Sequence, residues 1–447
     1  MKNHMKPFMT VICVCVSLVC ILKVLNLFKI GRNDSYQTIE GFYHERADSL
    51  DAVYIGASNV DRFWEPPLAW NDYGIAVMSY ALPAESAIAF PYQINEIHKT
   101  QPNALLIISL NSFKNLNVSD SFIHRSTNYM HFSPNKISMI NALTNEAGFK
   151  GFERLQYYFP AIRFHSRWSE LKAWDFTHSI NGLKTALNYS YFLADIEDLS
   201  EKYVIYDTES ELTDKQAAFL EEFLEYLDQS GHPVLFVSSP QALSKTTNKR
   251  FNRMGSIIRE HGYEYLDLVN GIDETGIQTK TDFYNNGHTN IHGAIKFTDY
   301  LAQYLIEHYG FTDKRGQPGW ESWDESVGLY TDVIAPYTLE FEREHAPRDY
   351  ELEAPILNKV KVEEQTITLS WKESPNAEGY DIYRKSAASG EKNWIYLTST
   401  ESDTLQYVDS ELNPETKYTY TVVPKINTDG IERYGNFNFT GVSGTTK

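Results

Sequence analysis

Two short stretches, far apart in the chain, contain residue types that can act together in nucleophilic catalysis. Ser58 follows an apolar run that ends in a glycine, which predicts a serine hydroxyl exposed where a strand turns into a helix. His288 precedes the last long helical pattern, where an imidazole can act as general base toward that hydroxyl. Asn285 and Asp282 come shortly before His288, and either side chain can orient the imidazole. Capping of the helix by Ser58 is the alternative interpretation.

Two more positions offer neutral hydrogen-bond donors for the negative charge that an acyl-transfer transition state gathers on oxygen. The backbone N–H of Ala81 lies in the stretch 79–84, and Asn111 follows the apolar run 104–110. Together with the N–H of Ser58 they form the predicted oxyanion hole. An ordinary turn at Ala81 and a strand-end cap at Asn111 are equally good interpretations of the same residues.

The stretch at Ser58, the residues Ala81 and Asn111, and the stretch at 282–288 follow one another along the chain in the order found in the SGNH/GDSL hydrolases. Residues 48–310 resemble that family. Ser58 matches the block I serine of that family, His288 the block V histidine and Asn111 the block III asparagine, while Ala81 stands where the family usually has a glycine. The resemblance is nearest to membrane-anchored relatives such as the D-alanyl transfer protein of teichoic acids and the alginate acetylation proteins. It implies a serine esterase or O-acyltransferase that acts on acylated cell-envelope or exogenous glycans.

One residue departs from the pattern of that family. The last family motif is Asp-x-x-His, and Asn285 occupies the aspartate position. A neutral amide orients imidazole but does not stabilise imidazolium, and the equivalent change in a serine protease lowers turnover about 10⁴-fold. Asp282 can take over that role. The alternative function is a catalytically weak or inactive SGNH-like protein that serves as a glycan-binding or cell-envelope scaffold module.

Residues 33–310 show the alternating strand and helix patterns that predict a mostly parallel sheet. The expected strands are 51–56, 104–110, 233–237 and 263–268, and the expected helices are 87–99, 214–229, 248–261 and 294–309. Active sites of such sheets lie at the carboxyl ends of the strands. Pattern and resemblance together predict an α/β domain with a three-layer, flavodoxin-like architecture.

Residues 115–200 are rich in aromatics and less regular, and they are interpreted as an insertion into this domain. Within it, His165, Arg167 and Trp168 bring cations and aromatic rings together. These three residues are candidates for binding an anionic polymer or an acyl donor. A packed insertion with surface charges is the alternative.

From residue 354 to 447, short segments alternate apolar and polar residues, which predicts an all-β, immunoglobulin-like sandwich. Trp371 followed by Tyr380 resembles the core of a fibronectin type III domain, and the tyrosines of residues 412–420 resemble its E–F corner. Residues 311–353, with several glycines, prolines and acids, are interpreted as a linker.

The N-terminus carries an uncharged apolar run from residue 8 to 22, which continues to residue 28 after Lys23. This length crosses a bilayer at about 1.5 Å per residue if Lys23 extends to the interface. No small-x-small cleavage site follows, so residues 1–32 are predicted to be an uncleaved, single-pass signal anchor with the membrane as partner. Basic residues are nearly balanced across the span. The extracytoplasmic placement of the body therefore rests on the domain resemblances.

The composition excludes some partners. A formal net charge of −19 argues against nucleic acid, whose phosphates need Lys and Arg. All three cysteines lie in the N-terminal apolar run, so the body contains no thiol for a disulfide or a metal. His288 and His292 are four residues apart but have no obvious third ligand. Neither a metal nor a cofactor is expected, and the oligomeric state is left open.

Overall fold

The computed structural model describes residues 34–171, 195–325, 351–386, 394–428, 430–438 and 440–447, together with isolated positions between 14 and 29 and at 341, 345 and 349. The chain divides into two units, Met1–Thr331 and Asp332–Lys447. Each unit has its own buried core.

A five-stranded parallel sheet forms the centre of the first unit. Its strands are β1 Ala52–Gly56, β2 Val77–Ala81, β3 Leu105–Ser109, β4 Val234–Ser238 and β5 Glu264–Asp267. They lie in the order β2-β1-β3-β4-β5, and all neighbours are parallel. This is a doubly wound order whose direction reverses between β1 and β3, so a crevice opens at the carboxyl ends of those strands.

Helices cover both faces of this sheet, which confirms the predicted α/β class. On one face lie α1 Asp34–His44, α4 Phe90–Thr100, α9 Asp214–Ser230 and α10 Lys245–Glu260. On the other lie α2 Ser58–Phe63, α3 Pro66–Tyr73 and α11 Ile291–Tyr309. The four strands β1 to β4 are buried along their whole length, because a parallel sheet is covered on both sides.

The described part of the insertion is helical. It contains α5 Asp120–Thr127, α6 Pro134–Glu146, α7 Leu155–Tyr158 and α8 Ala161–Phe164. These helices enclose a small core of their own that includes Phe122, Ile140 and Tyr157. Up to residue 164 the segment is thus more regular than its sequence pattern indicated, because buried apolar residues of these helices pack against one another. Residues 172–194 lie outside the described part of the chain.

Two further segments belong to the first unit. In the predicted linker, α12 Glu321–Asp324 packs Trp323 against Trp70, with ring centroids 5.2 Å apart. Among the described residues, no helix has the length and apolar character needed to cross a bilayer. Most of the predicted anchor, residues 1–32, lies outside the described residues.

The second unit is an antiparallel β-sandwich. Its strands are β8 Ile356–Leu357, β9 Lys361–Glu363, β10 Thr366–Lys372, β11 Gly379–Ser386, β12 Ile395–Glu401, β13 Gln406–Asp409, β14 Lys417–Thr428, β15 Ile431–Tyr434 and β16 Val442–Thr445. One sheet has the order β13-β10-β8 with β9 on β10, and the other has β12-β11-β14-β15 with β16 on β14. Trp371 and Tyr380 meet between the sheets, 5.6 Å apart, and the N–H of Asn413 donates to the Tyr418 hydroxyl at 3.1 Å. The predicted fibronectin-type sandwich is therefore confirmed.

Candidate active site

Ser58 begins α2 at the carboxyl end of β1. The turn between them passes through Gly56, where an added Cβ would lie 2.4 Å from Val60 Cγ2 and 2.7 Å from Ser109 Cβ. Only a glycine lets the helix return this close to β1 and β3. The local sequence therefore places the Ser58 hydroxyl at the edge where α/β sheets bind ligands.

His288 reaches the same edge from a β-hairpin. The hairpin pairs β6 Phe283–Asn285 with β7 His288–Thr289. Thr289 Oγ1 donates to the carbonyl of Arg62 on α2, and Asn290 caps α11 by accepting from the N–H of His292 at 3.1 Å. The hairpin is thus fixed on both sides. His288 Nε2 lies 2.9 Å from Ser58 Oγ.

Asn285 determines which nitrogen of the neutral His288 ring carries the proton. Its Oδ1 lies 3.1 Å from His288 Nδ1 and accepts the N–H of Gly287 at 2.9 Å. An amide oxygen only accepts, so Nδ1 carries the ring proton and Nε2 keeps a lone pair. The Ser58 hydroxyl can then donate a hydrogen bond to Nε2. Nucleophilic catalysis requires the hydroxyl proton to move to the base along such a bond.

The electrostatic surroundings keep His288 neutral. Burial, and to a smaller extent the positive charge of Arg62, lower the pKa of His288 to about 4. Both effects disfavour imidazolium. At neutral pH the ring is therefore a free base, but it accepts a proton less readily than an unperturbed histidine does.

Asp282 does not contact His288. Its carboxylate is buried and holds Lys296 Nζ at 2.6 Å, the N–H of Gln278 at 2.8 Å and the Thr281 hydroxyl at 2.9 Å. It is fully occupied in tying the hairpin to α11. The residue that orients His288 in this structure is Asn285.

Asn111 bridges two strands by its side-chain amide. Oδ1 accepts the N–H of Ser239 at 2.9 Å, and Nδ2 donates to the carbonyl of Ser239 at 3.1 Å. Nearby, Asn59 Nδ2 donates to Ser109 Oγ at 2.8 Å. The amide of Asn111 thus joins the ends of β3 and β4, and one N–H of its Nδ2 is left for another acceptor.

Ala81 is the last residue of β2 and pairs with Gly56. The N–H of Leu82 donates to the Gly56 carbonyl at 3.1 Å. Successive amides of a strand point to opposite sides, so the N–H of Ala81 points away from β1. A donor on the β1 side must come from the loop that follows Ala81.

That loop contains a residue that the sequence did not single out. Ala84 is exposed and has φ 58°, a conformation that normally favours glycine. The backbone is held there because Arg125 donates to the Pro83 carbonyl at 3.0 Å and the buried Glu85 carboxyl accepts the N–H of Leu82 at 3.1 Å. Burial raises the pKa of Glu85 well above its usual range. No sequence signal marks a non-glycine residue with positive φ.

The candidate binding residues of the insertion lie in a short turn after α8. His165 Nδ1 is 3.1 Å from the Ile162 carbonyl, and the Trp168 side chain is 72% exposed. Arg167 Nη1 donates to the carbonyls of Leu27 at 3.3 Å and Lys29 at 2.6 Å. These contacts therefore involve the N-terminal segment and the preceding helix α8.

Metal binding needs several donor side chains grouped in one place. Within the described ranges, no three His, Cys, Asp or Glu side chains are grouped so that they can hold a metal ion.

No protein-family model matches the chain, and no curated protein matches it. A fibronectin type III domain of human collagen XX is similar over 21% of this chain and 94% of its own length, at 23% identity and a TM-score of 0.17. The fifth such domain of Drosophila Lar aligns over 21% of this chain and 96% of its own, with 23% identity and a TM-score of 0.17. A β-1,2-glucanase from Parabacteroides distasonis is similar over 23% of this chain, at 22% identity and a TM-score of 0.19, and the match spans 14% of the glucanase.

The two folds define the class of protein. The chain is an α/β protein with a parallel five-stranded sheet, followed by a fibronectin-type β domain.

Proposed function

We propose that the first unit is an SGNH/GDSL-type domain that acts as a serine esterase or O-acyltransferase. The observation that carries this proposal is the 2.9 Å contact between Ser58 Oγ and His288 Nε2, with Asn285 Oδ1 behind the ring at 3.1 Å. A nucleophile, a base and a group that orients the base form the arrangement that covalent catalysis uses. The flavodoxin-like strand order supports the same assignment.

The proposed reaction is acyl transfer through Ser58. Ser58 Oγ attacks the ester carbonyl while His288 Nε2 takes the hydroxyl proton. His288 then returns that proton to the leaving alcohol, and the acyl group stays on Ser58. Water or the hydroxyl of a second substrate releases it by the reverse sequence. The N–H of Ser58, the loop after Ala81 and the second N–H of Asn111 are the proposed donors to the oxyanion.

The proposed setting is the outer side of a cell membrane, with residues 1–32 as a single-pass anchor. This rests on the apolar run at 8–28 and on the fibronectin-type domain, a module that is common outside cells. The proposed substrates are acylated glycans of the cell envelope or from outside the cell, and this part rests on the resemblance alone. No cofactor is needed for the steps given above.

Labelling of the full chain with a fluorophosphonate tests this function. We expect the wild type to be labelled and Ser58→Ala not to be, with p-nitrophenyl acetate hydrolysis following the same pattern. Equal labelling of both proteins would show that another residue reacts. A folded wild-type protein that takes no label would contradict the catalytic proposal.

The alternative is a catalytically weak or inactive scaffold that binds a glycan or an envelope partner. It is favoured by Asn285, because a neutral amide leaves the imidazolium that forms during catalysis without a counter-charge. This alternative predicts glycan binding that Ser58→Ala leaves unchanged, in a protein that no serine-directed probe labels.

A further inference from the structure

The insertion exposes large apolar side chains within one short segment. Phe152, Phe159, Ile162 and Trp168 are 77%, 61%, 42% and 72% exposed. Single exposed apolar residues are ordinary, but a cluster of aromatic residues on one segment indicates an interaction surface. We call residues 150–169, which contain all four, the aromatic segment.

The aromatic segment is joined to the end of the N-terminal apolar run. Arg167 donates to the carbonyls of Leu27 and Lys29 at 3.3 and 2.6 Å. Lys29 Nζ in turn lies 5.2 Å from the ring centroid of Tyr129, on the same insertion. Because the run at 8–28 has the length and composition of a membrane span, its last residues mark where the chain would leave a bilayer.

The charge of the aromatic segment differs from that of the rest of the chain. Residues 150–169 contain four Lys or Arg and one Glu, in a protein with a formal net charge of −19. Lys150 and Arg163 are among these cations and are exposed. Exposed aromatics with interleaved cations are typical of surfaces that lie at the headgroup level of an anionic bilayer.

We propose that the aromatic segment is a second membrane contact, which lies in the lipid headgroups beside the end of the anchor. Trp168 and Phe159 insert at the interface, and the exposed Lys150 and Arg163 face the lipid phosphates. The anchor alone would leave the first unit free to rotate about one point. The second contact fixes which side of that unit faces the membrane.

The side that faces the membrane is the one that carries Ser58. The end of α1 lies at the amino edge of the sheet, because Asp48 N–H donates to the Thr100 carbonyl at 2.7 Å, just before β3. Tyr36, near the start of α1, packs against Tyr129 of the insertion with ring centroids 4.8 Å apart, and the insertion leaves the sheet at the carboxyl end of β3. If Ser58 acts as proposed above, its acyl donor or acceptor is carried at the membrane surface.

Tryptophan quenching by brominated lipid tests the second contact without relying on catalysis. The full chain is reconstituted into vesicles of phosphatidylcholine and phosphatidylglycerol, with and without dibrominated acyl chains. Trp168→Phe removes one of the eight tryptophans and is expected to lose most of the quenching. Ile162→Trp in that background is expected to restore it. Glu307→Trp, an exposed position near the end of α11, is the matched control and is expected not to.

Three results would overturn the proposal. The first is quenching that Trp168→Phe leaves unchanged in vesicle-bound protein. The second is quenching restored equally by Ile162→Trp and by Glu307→Trp, because the bilayer would then contact the end of α11 as readily as the aromatic segment. The third is a full chain that does not associate with the vesicles. The second contact rests on the anchor proposed above, and the third result would overturn both. The first two results are obtained with vesicle-bound protein and do not depend on whether Ser58 reacts with a fluorophosphonate, so they overturn the second contact alone.

Discussion

At His288 two features of the structure act in opposite directions. The contact with Asn285 holds the ring in the tautomer that accepts the Ser58 proton. The same contact provides no negative charge, while burial and Arg62 lower the pKa of the ring to about 4. Geometry therefore favours proton transfer, and electrostatics weaken the base. Two substitutions separate these contributions.

The first substitution is Asn285→Asp, which places a carboxylate where the related family has one. A negative neighbour favours imidazolium, so the pKa of His288 rises and Ser58 becomes a better nucleophile. We expect fluorophosphonate labelling to become faster by on the order of tenfold or more. Asn285→Ala, which removes the acceptor altogether, serves as the control and is expected to slow it. A rate for Asn285→Asp at or below that of the wild type would contradict this account of the base.

The second substitution is Arg62→Gln, and it tests how the reactivity of Ser58 depends on pH. His288 must be neutral to act as base, so labelling is expected to fall as the pH drops through about 4. Arg62→Gln removes a repulsive charge, which moves this midpoint upward. Lys361→Gln, on the other unit, is the control and is expected to leave the midpoint unchanged. Identical midpoints for Arg62→Gln and the wild type would show that Arg62 does not act on the imidazole.

The same pKa has a consequence for stability. The pKa of His288 lies below the value of about 6.5 of an unfolded histidine, so the unfolded state binds more protons between these values. The contribution of His288 to folding is fully present above pH 6.5 and is lost as the pH falls toward 4. Labelling at low pH is therefore compared with circular dichroism, to separate titration from unfolding.

At the scale of elements, the site depends on how closely α11 approaches the hairpin that carries His288. An added Cβ at Gly293 would lie 2.4 Å from the Asp282 carbonyl and 2.6 Å from Thr289 Cγ2. In an open helix, alanine is more favourable than glycine by about 1 kcal/mol. At position 293 the clash outweighs this gain, so alanine is expected to be less favourable than glycine. We expect Gly293→Ala to destabilise the first unit by about 1–3 kcal/mol and to reduce labelling by displacing His288.

Gly287→Ala is the matched control for that prediction. It lies in the same hairpin, but the nearest atoms to an added Cβ are Asn285 Oδ1 at 3.9 Å and Gln241 Cδ at 4.0 Å. Urea unfolding of both variants gives the comparison. A Gly293→Ala protein as stable as the control would show that the helix can move away from the hairpin at little cost.

The continuously apolar strands β3 and β4 could be predicted from the sequence, and β2 could not. The runs at 104–110 and 233–237 are continuous and apolar, and the strands Leu105–Ser109 and Val234–Ser238 lie within one residue of them. β2, Val77–Ala81, mixes Ser and Tyr with apolar residues, so no periodicity marks it. Helix Asp34–His44 is not among the expected helices, because its sequence is mostly polar. Its apolar residues Tyr36, Ile39 and Phe42 are nevertheless buried at helical spacing.

Local spacing also decided how much of the site could be inferred. Asn285 and His288 are three residues apart, so their contact follows from the hairpin alone. The partners of Asp282 and Asn111 could not be foreseen, because Lys296 and Ser239 are brought to them by helix and strand packing. Ala84 was missed for a further reason, since its positive φ comes from the loop that holds it.

At the scale of the whole molecule, the two units have separate cores. The side chains that contact one another at the candidate site, from Ser58 to Asn290, all belong to the first unit. The second unit depends on Trp371, which is 3% exposed and packs against Tyr380. Damage to the core of the sandwich is therefore expected to leave the chemistry of Ser58 unaffected.

Trp371→Ala tests that independence. Removing a buried tryptophan costs about 3–5 kcal/mol, which is a large part of the stability of a domain of this size. Calorimetry is expected to show one transition moved to lower temperature and another unchanged, and the fluorophosphonate labelling rate at 25 °C is expected to equal that of the wild type. Val408→Ala, at a half-exposed position of the same unit, is the control for both measurements. A labelling rate that falls together with the unfolding of the sandwich would mean that the fibronectin-type domain supports the site, and the two units would then have to be treated as one functional body.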